Sequence, residues 1–315
     1  MTAHIPDPQL RVDDLDAKLS LKEERGKRRS RYTSRRHLYL RRFLRNKAAV
    51  AGVVLFGLLV VFALVGGVLT SYSYGDVDFA NLTAAPSPEH LFGTNASGND
   101  TYAQAVHGLG RSLIIAISVS LLTTLASAFI GAAAAYFGGV TERVILGVVH
   151  FLMVVPAFLI LALVAQQARG SWWALIVVLT LFGWMYNARM VWSLGRSLRE
   201  REYVQAARFM NVGSVRIVVR HLIPNIGSLF VVTFPLGVVA TVQSETTLSF
   251  VGFGVQLPDV SLGTMLNDGA QSVSSAPWLF FFPAALVTSL TVSMAVIGDG
   301  VRDALDPSSR SGGRA

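Results

Sequence analysis

The sequence predicts an all-α membrane protein with six transmembrane helices and both termini in the cytoplasm. Three observations predict it. Of 315 residues, 52% are hydrophobic and 15% charged, with a mean hydropathy of +0.50, a balance a soluble domain of this size does not carry. Six runs are free of Asp, Glu, Lys and Arg: 48–70, 112–137, 144–165, 172–188, 226–244 and 278–298. Each approaches the roughly 20 residues a helix needs to cross a bilayer, and the runs are continuous where barrel strands would alternate. Finally, Lys and Arg mark alternate loops. Segments 71–110 and 251–277 contain none, and the loop after the third run has only Arg169. The N-terminal tail, the loop after the fourth run and the C-terminal tail (Arg302, Arg310, Arg314) are basic. The positive-inside rule places those three in the cytoplasm.

Taken in order, residues 1–36 are charged, polar and weakly periodic, and read as a disordered cytoplasmic arm. Of the 27 Lys and Arg, 12 lie between Lys22 and Lys47, the juxtamembrane pattern attracted to anionic lipid rather than to nucleic acid. The stretch 39–47 reads as a short helix on the membrane surface. The first apolar run begins too late and is too long for a secretory signal. It and an external loop complete 37–110. That loop holds Pro86, Pro88 and glycosylation-type triplets at Asn81, Asn95 and Asn99, which are frequent by chance. A five-helix core spans 111–306, with a cytoplasmic loop at 196–225, and 307–315 form the tail. Pro156, Pro235 and Pro283 are expected to kink three spans and free carbonyls.

The cytoplasmic loop has the most pattern. From Glu202 to Phe209 its composition is helical, with Tyr203, Ala206, Ala207 and Met210 on one face. Asn211 and Gly213, both tolerant of a left-handed backbone, interrupt it. A second stretch, 214–222, follows with Ser214 as its N-cap, and Pro224 closes it. Physics alone reads this as a basic loop held to lipid headgroups.

Polar groups within spans are functional candidates by default. Glu245, expected at the outer end of the fifth span beside Gln243, Thr246 and Thr247, either gates a path or meets a cationic amine, or is an acid satisfied by backbone amides at a helix break. Asn187 is either a contact between helices or a group on the path. His150 reads as a packing residue, and Asp299, Asp303 and Asp306 as a solvated acidic face.

Enzyme chemistry finds no support. The six His are scattered, no HExxH or GxSxG is present, and no catalytic residue or metal site is assigned. The chain has no cysteine, hence no disulfide. The only Gly-Lys pair, Gly26-Lys27, precedes Arg28 and makes no Walker A loop, so any ATP and Mg belong to a partner and no cofactor is expected on this chain. An ion-coupled secondary transporter is the rival from another class, but it calls for repeated halves and intramembrane ionisable groups, and a channel calls for a filter.

The segment 198–225 resembles the EAA loop of binding-protein-dependent ABC importer permeases. Gln205-Ala206-Ala207 match the Glu-Ala-Ala triplet, Asn211 the following Gly, and His221-Leu222-Ile223-Pro224 the closing stretch. His90-Leu91-Phe92-Gly93-Thr94-Asn95, Tyr136-Phe137-Gly138-Gly139, Leu248 to Gly254 and Gly298 to Pro307 resemble the C-type permease of dipeptide and oligopeptide importers. This covers roughly 38–308. The segment from Asn95 to Asp100 departs from the family's acidic-Leu-Gly-Arg-Asp wording, which puts any contact it makes with the binding protein in doubt.

The resemblance implies a type I importer permease fold in a bacterial inner membrane. It implies a heterodimer with a homologous B-type permease, cytoplasmic ABC ATPase subunits and an extracytoplasmic substrate-binding protein. It assigns ATPase coupling to Glu202, Tyr203, Gln205, Ala206, Ala207, Arg208, Asn211, Gly213 and Pro224, with the small alanines allowing close docking. Oligopeptides or dipeptides are the implied cargo. Nickel chelates and glutathione remain alternatives because their importers share these segments.

Overall fold

The computed structural model describes residues 35–167 and 170–305. The readings made for the arm over 1–34, for Arg169, and for Asp306, Arg310 and Arg314 lie outside the described residues. The described chain is helical, and its β-structure is confined to isolated bridges such as Val77 with Asn99 and Thr94 with Asp100.

Helix α1 (Arg35–Arg45) precedes α2 (Lys47–Val65), and a 3-10 turn, Gly66–Leu69, extends the latter. Asn46 separates the two. Its side chain accepts from the Ala49 amide at 3.2 Å, capping α2, and donates to Asp303 at 3.3 Å. This satisfies an orphan amide at a helix start. Phe43 of α1 reaches the backbone at Gly300, so the basic helix leans on the end of the last span.

Helix α3 (Thr101–Phe137) is the axis of the molecule, packing against α2 and against most of the helices that follow it. It starts 11 residues before the apolar run that announced it. The reason is local. Asp100 caps it, accepting from the Ala103 amide at 2.6 Å, and the basic residues of its first turns are paired. His107 and Arg111 both meet Asp259, at 2.6 and 2.8 Å, and the Arg111 guanidinium lies 4.4 Å from the Trp172 ring.

The third span has the kink expected at Pro156, and there the helix breaks outright. Expected as one helix, it is two, α4 (Gly139–Val154) and α5 (Ala157–Gln167), bent by 80°. Pro156 has no N–H and forces the residue before it out of helical space; Val155 accordingly has ψ 132. The fourth span is longer than expected. Helices α6 (Trp172–Gly183) and α7 (Met185–Arg199) meet at Trp184 and run on as 28 residues. Thus, among the described residues, five helices are long and apolar enough to span a bilayer, and the bent pair, taken as one span, brings the total to six.

The loop at 196–225 forms α8 (Glu202–Phe209) and an irregular helical stretch over 214–225, α9. The latter comprises Ser214–Ile217, a π turn Val218–Leu222 and Ile223–Asn225. Helix α10 (Gly227–Phe250) follows, then α11 (Leu262–Gln271) and α12 (Trp278–Leu305). Helix α11 was not legible: its capping box uses Thr264 rather than Glu or Gln. Pro235 and Pro283 stay inside continuous helices. Helices approach closely through small residues; a Cβ on Gly131 would meet Ala188 and Val191 of α7.

The loops sort to two ends. At one, 71–100 packs on the starts of α3 and α12, with Phe92 stacked on Phe282 at 4.0 Å. His90 is buried there, its Nδ1 2.8 Å from Asp100 and its Nε2 3.5 Å from Asp78, under the ring of Tyr72. Burial opposes its charge, but the two carboxylates outweigh burial and hold its pKa above the ordinary histidine value. The other end carries α1, α8, α9 and their arginines.

Candidate functional site

Two features at different depths form the site: the loop at the basic end and a groove between the spans it is joined to.

In α8, Val204 and Ala207 turn inward and pack with Ile217 and Leu222, against Tyr136 and Val212. Tyr203, Ala206, Phe209 and Met210 face outward, Phe209 with 88% of its surface exposed. The shared face expected for Tyr203, Ala206, Ala207 and Met210 is therefore corrected at Ala207, which is 3% exposed. At about 100° per residue, Ala207 falls over Val204, the apolar anchor the sequence reading passed over. Phe209 was missed as well; its signal was a large aromatic beside Arg208 at a helix end.

The end of α8 is a Schellman motif. The Asn211 amide donates to Arg208 O and the Val212 amide to Ala207 O, both at 3.1 Å. Asn211 holds the left-handed position, φ 57, and Val212 makes the accompanying apolar contact with Ala207. Gly213, expected to share that conformation, has φ −56 and is itself the N-cap of α9; Ser214 is the first helical residue, not the cap. Pro224 does not close the segment. It lacks an N–H for the preceding turn, which widens into the π turn, and the chain continues helically through Asn225.

Three connections join this loop to the spans. Tyr136, near the end of α3, is part of the α8 core. Gln205 Nε2 donates to Arg199 O at the end of α7, 3.1 Å away, and Arg199 Nη1 donates to Ala135 O of α3 at 3.3 Å, a cation at a helix C-terminus. Gly138 makes room for that arginine: it has φ 65, and a Cβ there would sit 2.6 Å from Arg199 Nη1. Lastly, α9 runs into α10 with only Ile226 between them. Glu202, Arg208 and Pro224 are exposed.

The spans so joined, α7 and α10, face each other across a groove of about 460 Å³. Tyr186 and Asn187 line it from α7, Thr233, Thr241 and Ser244 from α10, and Thr123 from α3. None of its lining residues is charged. Of the four path candidates only Asn187 is there. Gln243 is exposed and Thr246 half-buried on other faces of α10. Glu245 is corrected in place. Helix α10 continues past it to Phe250, and the side chain, 1% exposed, points into the core. Its Oε1 accepts from Ser249 Oγ at 2.8 Å and from Ser261 Oγ at 2.6 Å. Hydroxyls, not backbone amides at a break, hold Oε1, while Oε2 is buried with no hydrogen-bond partner among the described residues; the residue fastens α10 to the cap of α11.

A bundle of this kind, with a groove between spans and an exposed loop anchored to the same spans, defines a multi-pass transport subunit. The family described as "Binding-protein-dependent transport system inner membrane component" matches residues 127–311, and "N-terminal TM domain of oligopeptide transport permease C" matches 34–86. The oligopeptide transport system permease protein OppC of Mycobacterium tuberculosis is 46% identical over 282 residues, covering 89% of this chain and 97% of that protein. The proteins so named in Escherichia coli K12 and Bacillus subtilis are 33% and 31% identical, over 86% and 85% of this chain and 90% and 88% of theirs. The chain belongs to the family of binding-protein-dependent transport system inner membrane components.

Proposed function

We propose that this chain is one of two permease subunits of an ATP-driven importer for oligopeptides. The basic end lies in the cytoplasm of a bacterial cell whose inner membrane the spans cross, as the Lys and Arg distribution requires. A homologous permease supplies the other wall of the path, and separate ABC subunits bind ATP and Mg. An extracytoplasmic binding protein delivers the peptide. The names of the relatives support the cargo.

The observation that carries the reading is the construction of α8. Its inward face packs on α9 and on Tyr136 of α3, Gln205 ties it to α7 and α9 continues into α10, while its outward face leaves Tyr203, Ala206, Phe209 and Met210 exposed. An exposed aromatic tip rimmed by arginines is the composition of a protein docking site. Closure of the ATPase dimer moves α8 as a rigid piece. Through Gln205–Arg199 it moves α7, and through α9 it moves α10. Those are the helices that line the groove, so the groove opens to alternate sides as nucleotide biases the two states. The groove's lining is largely apolar, with Val119, Leu179, Met190 and Leu236, and is broken by the hydroxyls of Thr123, Tyr186, Thr233, Thr241 and Ser244 and the one carboxamide of Asn187; those few polar groups can exchange hydrogen bonds with any peptide backbone without selecting its side chains.

Purified complex in proteoliposomes, with binding protein outside and ATP at the ATPase side, is expected to accumulate labelled oligopeptide only when ATP is hydrolysed. Uptake driven by an ion gradient without the ATPase would overturn the proposal.

A further inference from the structure

Glu245 lies outside the groove, yet it stands next in α10 to Ser244 and one turn from Thr241, both of which line it. Its two hydroxyl partners are not equivalent. Ser249 belongs to α10 and moves with Glu245. Ser261 is the N-cap of α11, so its 2.6 Å bond to Oε1 crosses from one helix to another. The receiving side is held in turn to α3. Ser112 Oγ of α3 accepts from the Leu262 amide at 3.2 Å, and Asp259, just before the cap, pairs with His107 and Arg111. Gly263 lets the two helices come this close: a Cβ there would lie 2.8 Å from Ser249 Oγ and 3.0 Å from Glu245 Oε1. Around the bond, Val238 and Val242 of α10 share one apolar cluster with Leu262 and Met265 of α11.

We infer that Glu245 is a positioning residue for transport: through Ser261 it makes the far half of α10 move as one piece with α11 and the start of α3. Movement imposed on α10 at the α8 end thereby reaches the opposite face of the molecule. This rests on the importer reading above and adds to it the joint that carries the signal across. Apolar packing is non-directional and lets one helix slide or turn on another. A hydrogen bond to a capping hydroxyl is directional and fixes both register and rotation. The buried, unpartnered Oε2 speaks against a role in stability alone. Such an atom costs free energy, and an aliphatic side chain of similar size fills an apolar core without that cost. Coupling between two sites is reciprocal. A joint that passes movement outward from the ATPase also passes back to it the effect of the binding protein docking at the outer face. That return signal is the measurable one.

The test uses the assembled transporter in lipid nanodiscs. ATP hydrolysis is measured without and with saturating peptide-loaded binding protein, and the ratio of the two rates is the readout. Glu245→Leu fills the site without an acceptor, while Ser261 keeps the Thr264 amide as a partner. This variant is expected to retain the basal rate and the thermal midpoint, with the ratio falling roughly fivefold. Gly263→Ala leaves every hydrogen-bonding group in place but wedges α11 away from α10, and is expected to lower the ratio likewise. Glu245→Gln keeps an acceptor for Ser261 and is expected to restore most of it. Where the leucine variant does not assemble, Gly263→Ala against Glu245→Gln makes the same comparison. A wild-type ratio in both Glu245→Leu and Gly263→Ala would overturn the inference. So would a basal rate and midpoint that fall together while the ratio stays, because the residue would then serve folding only. Wild-type hydrolysis indifferent to the binding protein, with ATP-driven uptake intact, would overturn the inference alone. A wild-type complex that hydrolyses ATP and takes up no peptide would overturn the importer reading with it.

Discussion

Gln205 Nε2 donates to the carbonyl oxygen of Arg199 across 3.1 Å, and this bond ties α8 to the end of a groove-lining span. The residue stands where the resembled family has an acid, and its amide does what a carboxylate cannot: it donates. Gln205→Ala is therefore expected to loosen α8 by about 1 kcal/mol, the typical net value of such a bond. Amide exchange over 202–210 should quicken roughly fivefold, and less transport should follow from each ATP hydrolysed. Exchange identical to wild type would show that the bond does not hold the loop.

Neighbouring alanines are expected to respond differently. Ala206 is exposed and Ala207 buried against Ile217 and Leu222. Ala206→Asp should leave the loop's protease-cleavage pattern unchanged while weakening ATPase binding. Ala207→Asp places a charge in an apolar cluster, costs several kcal/mol, and should expose the loop to protease. Equal protease sensitivity of the two variants would contradict the assigned faces.

The left-handed position gives a sharper comparison. Asn211→Gly suits φ 57 and is expected to preserve or slightly raise thermal stability. Asn211→Val, β-branched and disfavoured there, should cost about 1–2 kcal/mol. Gly213, with an ordinary φ, should accept Ala without comparable loss. A reversed order of Gly213→Ala and Asn211→Val would contradict the motif.

These residues also show how far the sequence could be read. Spans and the loop's helix–turn–helix were legible because apolar length and Asn-x-Gly punctuation are local signals. The faces of α8 were not, since eight residues fit two helical stripes and only the packing of Tyr136 and Leu222 chooses between them. Helix α3 began early because Asp259, more than a hundred residues away, pairs His107 and Arg111. The break at Val155 needed more than a proline, as Pro235 and Pro283 leave their helices continuous. Glu245 was legible as unusual, but its direction depends on Ser261, from a helix the pattern did not reveal.

The loop 71–100 should respond to pH. His90 has a folded-state pKa above 6.5, so its contribution is fully present below that value and is lost as pH rises through the higher folded value. Asp259 behaves oppositely. Burial opposes its charge, but His107, the Val260 amide and Arg111 outweigh burial and hold its pKa below 3.8. Its contribution is lost only as pH falls through that lowered value. Hydrogen exchange, corrected for intrinsic rates, should therefore rise in 71–100 as pH climbs past 6.5. His90→Gln should abolish the dependence.

The central claim is that the outward face of α8 docks the ATPase and its inward face does not. Because the chain has no cysteine, single cysteines can be introduced at Tyr203, Val204, Ala206, Ala207 and Phe209 and treated with a short bifunctional crosslinker in the assembled complex. The account predicts crosslinks to the ATPase from positions 203, 206 and 209 and none from 204 and 207. Crosslinking from 204 and 207, or from none of the five, would contradict it.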